Sequence, residues 1–214
     1  MTWGAALVVA MLSAATAGAV APEQLGAADQ RRLERGETVV RERAVAGYPW
    51  PEVVVYRRSS APPVAIMAVY ADFGAHAQYL PGIVTSRMLG PEGPGASRVF
   101  YEHEVTGPNE VYTVVVRVTR EGEGWHARWT LVTARYARRL EGGLRVVPRG
   151  EGSVLIYSSL VDPGTLGATF GTPATVAKQL VGSAEALAIR AERLVTAEPA
   201  RLAALVDALD ALAR

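Results

Sequence analysis

The sequence predicts an α+β fold in which a curved antiparallel β-sheet wraps around a long C-terminal α-helix. Residues 37–161 consist mostly of strand-like segments separated by turns. Residues 172–195 carry a helical signal, because apolar residues recur at steps of three and four and form one stripe. The stripe consists of Val176, Leu180, Ala184, Leu187, Ala191 and Leu194. A run of strands followed by a long helix is typical of the α+β class, and the helix needs the sheet to lie on.

The composition fits one globular domain with a sizeable core. The chain has 214 residues, of which 50% are hydrophobic and 20% are charged. The net charge of +1 provides no global field for nucleic acid, so we expect no nucleic-acid partner. The chain has no cysteine, which excludes disulfides, thiolate metal sites, a cysteine nucleophile and a lipid-modified cysteine.

The N-terminal segment is predicted to be a signal peptide. Residues 1–21 contain no charged side chain, and an apolar run is followed by small residues that fit a small-x-small cleavage site. We therefore expect the segment to be cleaved and the protein to be periplasmic or secreted. Because the usual positive n-region is missing, an uncleaved membrane anchor and a misassigned start are the alternatives.

The chain after this segment begins with a short helix and two strands. Residues 27–35 are predicted to form a helical lead-in that Gly36 ends. Residues 38–45 and 52–57 are predicted to form the first two strands.

Two short helices are predicted to follow these strands. Pro62 and Pro63, just after two serines, signal the start of a mostly buried helix over residues 64–71. Asp72 is expected to cap a second short helix over residues 73–79 rather than to act as a functional carboxylate.

The middle of the chain predicts a meander of strands with glycine, proline and asparagine turns. The predicted strands are residues 83–89, 97–106, 110–120, 125–135, 145–148 and 152–161. Alternation along two of them places one cleaner apolar face on each, and we expect these faces to point toward the long helix. The faces consist of Val99, Tyr101, His103 and Val105, and of Tyr112, Val114, Val116 and Val118.

A separate amphipathic helix is predicted to begin at Pro199, with Leu202, Val206, Leu209 and Leu212 on one side. An apolar stripe must be covered, so the helix packs back on the domain or pairs with another copy of the chain. Packing back is the simpler interpretation, and the choice between monomer and homodimer stays open.

Several passages resemble the START-like, helix-grip superfamily, which includes lipid-transfer START domains and bacterial polyketide cyclase/dehydrase-like proteins. The segments that carry the resemblance are residues 71–88, with Asp72-Phe73 and Leu80-Pro81-Gly82, the strand pair 99–105 and 111–117, and residues 152–164, in which a tyrosine strand runs into Asp162-Pro163-Gly164. The sequence departs from the pattern at Asn109-Glu110, where the family often has an Arg-Asp pair, and in the loop 164–171, which has no proline before Thr172. The resemblance assigns residues 37–196 to a START-like domain, with a lead-in over 22–36 and an extra helix over 197–214.

The resemblance implies a cavity between sheet and long helix that binds a hydrophobic small molecule. A helix laid on a strongly curved sheet leaves volume that side chains need not fill. Residues 79–83 and the glycine-rich loop 164–171 are expected at the cavity mouth, where they could gate entry. The candidate ligand-binding residues are Tyr79, Pro81, Tyr101, His103, Tyr112, Val114, Arg117, Trp129, Tyr157, Phe170, Leu180 and Leu187.

Polar residues in the predicted pocket have two interpretations. His103 is either a polar anchor or acid/base in the pocket, or a hydrogen-bonded interior histidine. The tyrosines and Trp129 are more consistent with wall and core than with catalysis. The histidines are far apart, with no H-x-x-x-H pair, and the sequence has neither a G-x-S-x-G motif nor a Walker-type loop. We therefore expect no metal ion and no cofactor.

A run of arginines comprises Arg135, Arg138, Arg139, Arg145 and Arg149. It marks either a contact with a membrane surface or acidic partner, or a solvated edge that discourages strand pairing.

Three functional hypotheses follow from the sequence. The first is an exported, non-enzymatic binder or carrier of a lipid-, sterol- or polyketide-like molecule. The second is an aromatase/cyclase-type enzyme that uses His103 with a nearby tyrosine or Arg117. The third is a protein-interaction module that uses the C-terminal helix or the arginine run.

Overall fold

A computed structural model describes residues 25–214, so the predicted signal peptide lies outside the described residues. Within this range the chain forms one sheet, a 3-10 helix over Phe73–Gln78 and a set of α-helices. The α-helices are α1 (Ala27–Glu34), α2 (Pro63–Ala71), α3 (Gly164–Phe170), α4 (Pro173–Ala197) and α5 (Pro199–Leu212).

The sheet is eight-stranded, with the order β1-β2-β8-β7-β6-β5-β4-β3, and all neighbours are antiparallel. The strands are β1 (Val39–Arg43), β2 (Glu52–Ser59), β3 (Ile83–Pro91), β4 (Ala96–His103), β5 (Glu110–Glu121), β6 (Gly124–Ala134), β7 (Arg139–Arg149) and β8 (Gly152–Asp162). The meander β3 to β8 follows chain order, and β8 then pairs with β2. The predicted fold class, a sheet wrapped around a long C-terminal helix, is confirmed.

The long helix α4 begins as the sequence predicts. The Thr172 side chain accepts a hydrogen bond from the Thr175 N–H at 3.2 Å, and Pro173 occupies the first helical position, where no N–H is needed. The fully buried residues of α4 lie in its C-terminal half. They are Ala184, Leu187, Ala188, Ala191 and Leu194. This half packs against the sheet and against α2.

The short helices complete the apolar layer around α4. Helix α2 is apolar on all sides, as expected for a helix buried between other elements, and Ala65–Tyr70 are all buried. Helix α5 packs on α2 and α4 through Leu209, which is fully buried. The prediction that the C-terminal helix packs back on the domain is therefore confirmed.

The opposite face of the sheet carries a smaller core beneath α1. Leu25 and Leu33 pack there against outward-facing side chains such as Val54, Tyr56 and Ile156. Because side chains alternate along a strand, β2 buries Val53 and Val55 on one face and Val54 and Tyr56 on the other. This part of the sheet is covered on both sides.

Strand β7 is longer than the predicted strand over residues 145–148. Gly142 and Gly143 lie inside the strand, and the Trp129 ring packs closely against Gly142. A Cβ atom at Gly142 would collide with the Ser158 carbonyl oxygen and the Trp129 ring. Glycine here permits a close approach instead of marking a turn.

Two other predictions of local structure are wrong. Residues 164–170 form α3 instead of a loop, and the Asp162 side chain accepts the Gly164 N–H at 3.0 Å where the turn begins. Asp72 makes no side-chain cap hydrogen bond, and the helix after it is a 3-10 helix. The backbone carbonyl of Asp72, and not its side chain, accepts a hydrogen bond from the Ala75 N–H.

The arginine run is dispersed around β7, and its members have local partners. Arg135 donates to the Asn109 carbonyl, Arg138 to Thr165, and Arg139 to the Gly47 carbonyl. Arg145 and Arg149 form ion pairs with Glu121 and Glu34. These contacts show solvated side chains with local partners, but β7 pairs with both β6 and β8, so the prediction of a sheet edge is wrong. Membrane contact stays a prediction.

Candidate ligand-binding cavity

A cavity of about 220 Å³ lies between the concave face of the sheet and the N-terminal half of α4. Its walls come from strands β4, β5, β6 and β8, and α2 contributes at one side. Helix α3 and the first turns of α4 contribute further residues. The lining residues of α4 end at Ser183, one position before the helix begins to bury side chains completely.

Most of the predicted ligand-binding residues line this cavity. They are Pro81, Tyr101, His103, Tyr112, Val114, Trp129, Tyr157, Phe170 and Leu180. Alternation along β4, β5 and β6 brings their strand members to one face, and the register pairs Tyr101 with Tyr112 and Val99 with Val114. That these residues bind a ligand stays a prediction.

Three of the predicted residues do not line the cavity. Arg117 lies on the other face of β5, is exposed, and donates to the Pro94 carbonyl at 2.6 Å. Tyr79 packs into the core and donates to the Val69 carbonyl at 2.9 Å. Leu187 is fully buried where α4 has already closed on the sheet.

The sequence analysis missed several lining residues. Tyr70, His76 and Trp50 were not proposed as ligand contacts, and neither were Gln179 and Ser183 on α4. Tyr70 could have been predicted from the sequence, because its hydroxyl is the one polar side-chain group in the otherwise apolar α2. The other residues follow only from how the helices are placed.

Aromatic rings form a connected cluster on the cavity wall. Tyr157 lies with its ring centroid 5.5 Å from that of Trp129 and 6.5 Å from that of Tyr70. Tyr101 and Tyr112, opposite each other on neighbouring strands, are 5.4 Å apart. The cavity is therefore mainly apolar, with phenol hydroxyls spaced along it.

One of these hydroxyls is committed to a buried histidine. His76 Nε2 lies 2.7 Å from the Tyr70 carbonyl oxygen, which can only accept, so Nε2 carries the proton. His76 Nδ1 therefore accepts the Tyr101 hydroxyl proton at 2.8 Å. Burial lowers the pKa of His76 from 6.5 to about 4, so the ring is neutral at physiological pH.

The hydroxyls of Tyr70, Tyr112 and Tyr157 have no hydrogen-bond partner within residues 25–214. None of the three hydroxyl oxygens is among the buried side-chain atoms of this range that lack both a hydrogen bond and any accessible surface. The three hydroxyls therefore have space beside them, and the cavity is the space that these residues line.

Burial, which disfavours the phenolate, raises the pKa of Tyr70, Tyr112 and Tyr157, so the phenols stay protonated. The cavity offers them no cationic side chain within residues 25–214. Neither arginine nor lysine lines it in the described part of the chain.

The charged residue that does line the cavity, Glu110, is already satisfied. Its carboxylate accepts the backbone N–H groups of Arg135, Tyr136 and Ala137 at 2.9, 3.2 and 3.3 Å. It thereby fixes the connection between β6 and β7, part of which also lines the cavity. Asn109 and Glu110, the departure from the family pattern, thus have a structural role here.

His103 lies at the cavity beside the turn at Gly82. A Cβ atom on Gly82 would lie 2.9 Å from His103 Nε2, and φ at Gly82 is +76°. Both the close contact and the left-handed backbone conformation therefore favour glycine here. Burial lowers the pKa of His103, which favours the neutral imidazole. In the described residues its ring makes no hydrogen bond to the protein, so the anchor interpretation remains open.

Helix α3 borders the cavity and consists of residues from the segment that was predicted to gate entry, and gating stays a prediction. Pro163, Gly167 and Phe170 line the cavity, but no residue of α3 is fully buried, and Leu166 is 64% exposed. Few buried contacts therefore hold this helix in place.

An antiparallel sheet around a long helix, with an apolar cavity between them, defines the START-like helix-grip class of proteins. The chain belongs within it to the family described as polyketide cyclase/dehydrase and lipid transport, whose sequence pattern matches residues 51–207. The suspected START-like family is thereby confirmed. No curated protein sequence is significantly similar to the chain.

Solved structures share the fold at low sequence identity. A STAR-related lipid transfer protein from Xanthomonas axonopodis has a TM-score of 0.62 at 20% identity, with 72% of this chain and 93% of that chain covered. The Zhui aromatase/cyclase from Streptomyces sp. R1128 has a TM-score of 0.56 at 21% identity, with 68% and 96% covered. Human StAR-related lipid transfer protein 5 has a TM-score of 0.60 at 8% identity, with 74% and 83% covered. These structures show that the fold of this chain is shared with them.

Two features are absent from residues 25–214. No group of three or more histidine or acidic side chains there could hold a metal ion. No helix in this range is both long enough and apolar enough to cross a membrane.

The tyrosine hydroxyls should differ in their contribution to stability. Tyr101→Phe leaves His76 Nδ1 buried without a donor, so we expect the free energy of unfolding to fall by about 1–3 kcal/mol. Tyr157→Phe removes a hydroxyl that has no protein partner, so stability should stay unchanged or rise. Urea denaturation of both variants measures the difference, and equal losses would contradict the assigned hydrogen bonds.

Stability should also depend on pH through His76. Because its pKa is about 4 in the folded protein and 6.5 as its ordinary value, the unfolded chain binds more protons between these limits. Stability therefore rises with pH through this window and is lost on acidification, with a slope on the order of 1 kcal/mol per pH unit.

Urea denaturation between about pH 7 and pH 5 measures this slope. His76→Gln should flatten it more than His126→Gln does, because the lowered pKa of His126 belongs to a less buried ring that also contacts Glu121. Identical slopes in the two variants would show that His76 does not carry the effect.

Proposed function

We propose that the protein binds and carries a hydrophobic small molecule of lipid-, sterol- or polyketide-like character, and does so outside the cytoplasm. The observation that carries this proposal is the cavity itself, which the protein's own side chains leave open. Its walls are aliphatic and aromatic, with a few polar groups, as is usual for small-molecule sites. The uncharged segment 1–21 supports export to the periplasm or the exterior.

The electrostatics of the cavity favour carriage over chemistry. Glu110 is held by backbone N–H groups, and burial keeps His76 neutral while its two ring nitrogens are occupied. General acid–base catalysis needs a group with a free site and a pKa near the working pH. In the described residues, His103 is the histidine at the cavity without a protein partner.

The cavity volume bears on how a ligand is accommodated. Ligand pockets commonly measure about 300–1,000 Å³, and this cavity measures about 220 Å³. A small occupant fits as the structure stands, whereas a larger one requires α3 to move. Because α3 has no fully buried residue, it is the element around the cavity that should be displaced most easily.

Blocking the cavity should remove the ligand without unfolding the protein. Native mass spectrometry after non-denaturing purification should show wild-type protein carrying an apolar adduct. Leu180→Trp places a bulky ring in the cavity and should abolish the adduct. Ile189→Trp is the matched control, because Ile189 lies on the same helix but is 62% exposed. Wild-type protein without an adduct, or an adduct retained by Leu180→Trp, would contradict the proposal.

A second candidate function is an aromatase/cyclase-type enzyme, which the polar groups around the cavity support. His103 and the tyrosine hydroxyls converge on one space, as such an enzyme requires. Arg117, the alternative partner for His103, does not, because it lies on the opposite face of β5.

Two variants test this alternative with a polyketide-like substrate and chromatography of the products. Loss of a general base costs about 10²–10⁴ in rate, so His103→Ala should reduce turnover by that factor. Arg117→Ala should leave it unchanged. Turnover that survives in His103→Ala would eliminate the enzymatic alternative.

A further inference from the structure

Building on the proposed function, we propose that the occupant is a neutral molecule whose buried end carries hydroxyl or carbonyl oxygens. These oxygens hydrogen-bond to Tyr70, Tyr112 and Tyr157. The proposal distinguishes this class of ligand from plain hydrocarbons and from anionic lipids such as fatty acids.

The first support is the set of unpartnered phenols. Buried hydroxyls in native proteins nearly always have a partner, because leaving one unpaired costs free energy. Tyr70, Tyr112 and Tyr157 have none within residues 25–214, although all three line one cavity. Phenylalanine would fill the same walls without that cost. A ligand with oxygen functions would satisfy all three hydroxyls, whereas a hydrocarbon would satisfy none.

The second support is the contrast with Tyr101, whose proton is committed to His76 Nδ1. The oxygen of Tyr101 can therefore only accept a further hydrogen bond, whereas the other three hydroxyls can donate or accept. Together they present donors and an acceptor along one wall. A ligand hydroxyl can use both kinds of group, and a carbonyl can use the donors.

Ring spacing allows one small molecule to reach several of these groups. The Tyr157 ring lies 6.5 Å from Tyr70, and the Tyr112 ring lies 5.4 Å from Tyr101. The rings of Trp129 and Tyr157, with centroids 5.5 Å apart and planes at 77°, place an apolar corner beside the hydroxyls. A fused-ring or aromatic skeleton with a polar substituent matches this combination of surfaces.

The third support is the charge of the lining, which disfavours an anion. No arginine or lysine lines the cavity in the described part of the chain, and Glu110 contributes a negative charge. His76 and His103 are neutral, since burial lowers the pKa of each. A carboxylate in this space would lose its hydration without gaining a cationic partner.

Calorimetric titration with three probes of one skeleton tests the proposal. The probes are naphthalene, 2-naphthol and 2-naphthoate at neutral pH, where the second is neutral and the third is an anion. We expect 2-naphthol to bind about fivefold more tightly than naphthalene, which corresponds to one net hydrogen bond. We expect 2-naphthoate to bind more weakly than 2-naphthol by at least about tenfold.

Single hydroxyl deletions then assign the effect to the tyrosines. At least one of the variants Tyr70→Phe, Tyr112→Phe and Tyr157→Phe should weaken 2-naphthol binding, and all three should leave naphthalene binding unchanged. Tyr48→Phe is the matched control, because the Tyr48 hydroxyl donates to Glu141 and Tyr48 does not line the cavity. Melting temperatures of the ligand-free variants that do not fall below that of the wild type would confirm that the deletions act on binding and not on folding.

The outcomes separate this inference from the proposed function. Equal affinity for naphthalene and 2-naphthol, or 2-naphthol affinity that survives all three deletions, would overturn the hydroxyl assignment but leave a hydrophobic carrier intact. Binding of 2-naphthoate as tight as that of 2-naphthol would overturn the preference for a neutral ligand. Failure of all three probes to bind would count against the proposed function itself.

Discussion

The long helix α4 contacts the sheet closely along only half of its length, and the cavity is the consequence. From Ala184 onward, alanines and leucines are fully buried, and small side chains let the helix approach the strands. Each buried leucine there contributes about 1.5–3 kcal/mol, so this half fixes the helix. Before Ala184 the helix faces the cavity with half-buried residues such as Val176 and Leu180. The same helix is thus an anchor at one end and a wall at the other.

The tyrosines on the wall opposite the helix differ in whether their hydroxyls stabilise the fold or are available to a ligand. Tyr101 is tied through His76 to the backbone of α2, so its hydroxyl belongs to the architecture. Tyr70, Tyr112 and Tyr157 supply the same chemistry without an internal partner. Natural sequences keep such unsatisfied groups mainly where function uses them. This contrast within one cluster is the reason to assign recognition to some phenols and support to another.

Local patterns predicted the strands, the faces and the long helix well, because alternation and helical spacing are set by neighbouring residues. Local patterns gave wrong predictions where contacts between residues far apart in the sequence determine the structure. The predicted strand over residues 145–148 left out Gly142, because nothing in the nearby sequence reveals the Trp129 ring that packs against it. Arg117 was assigned to the site although its own alternation with Val116 and Val118 places it on the outer face. Leu187 lies on the predicted stripe, but only the three-dimensional contact of α4 with the sheet shows where the cavity ends.

The pairing of β2 with β8 has a kinetic consequence for the chain. Val53 pairs with Ser159 and Ser59 with Ser153, so the N-terminal hairpin joins the sheet through the last strand to be synthesised. Such long-range pairing slows folding, because a large loop must close before its contacts form. The sheet cannot be completed until nearly the whole domain has left the ribosome. Until then the hairpin of β1 and β2 lacks β8, and the second edge of β2 stays unpaired and open to pairing with another chain.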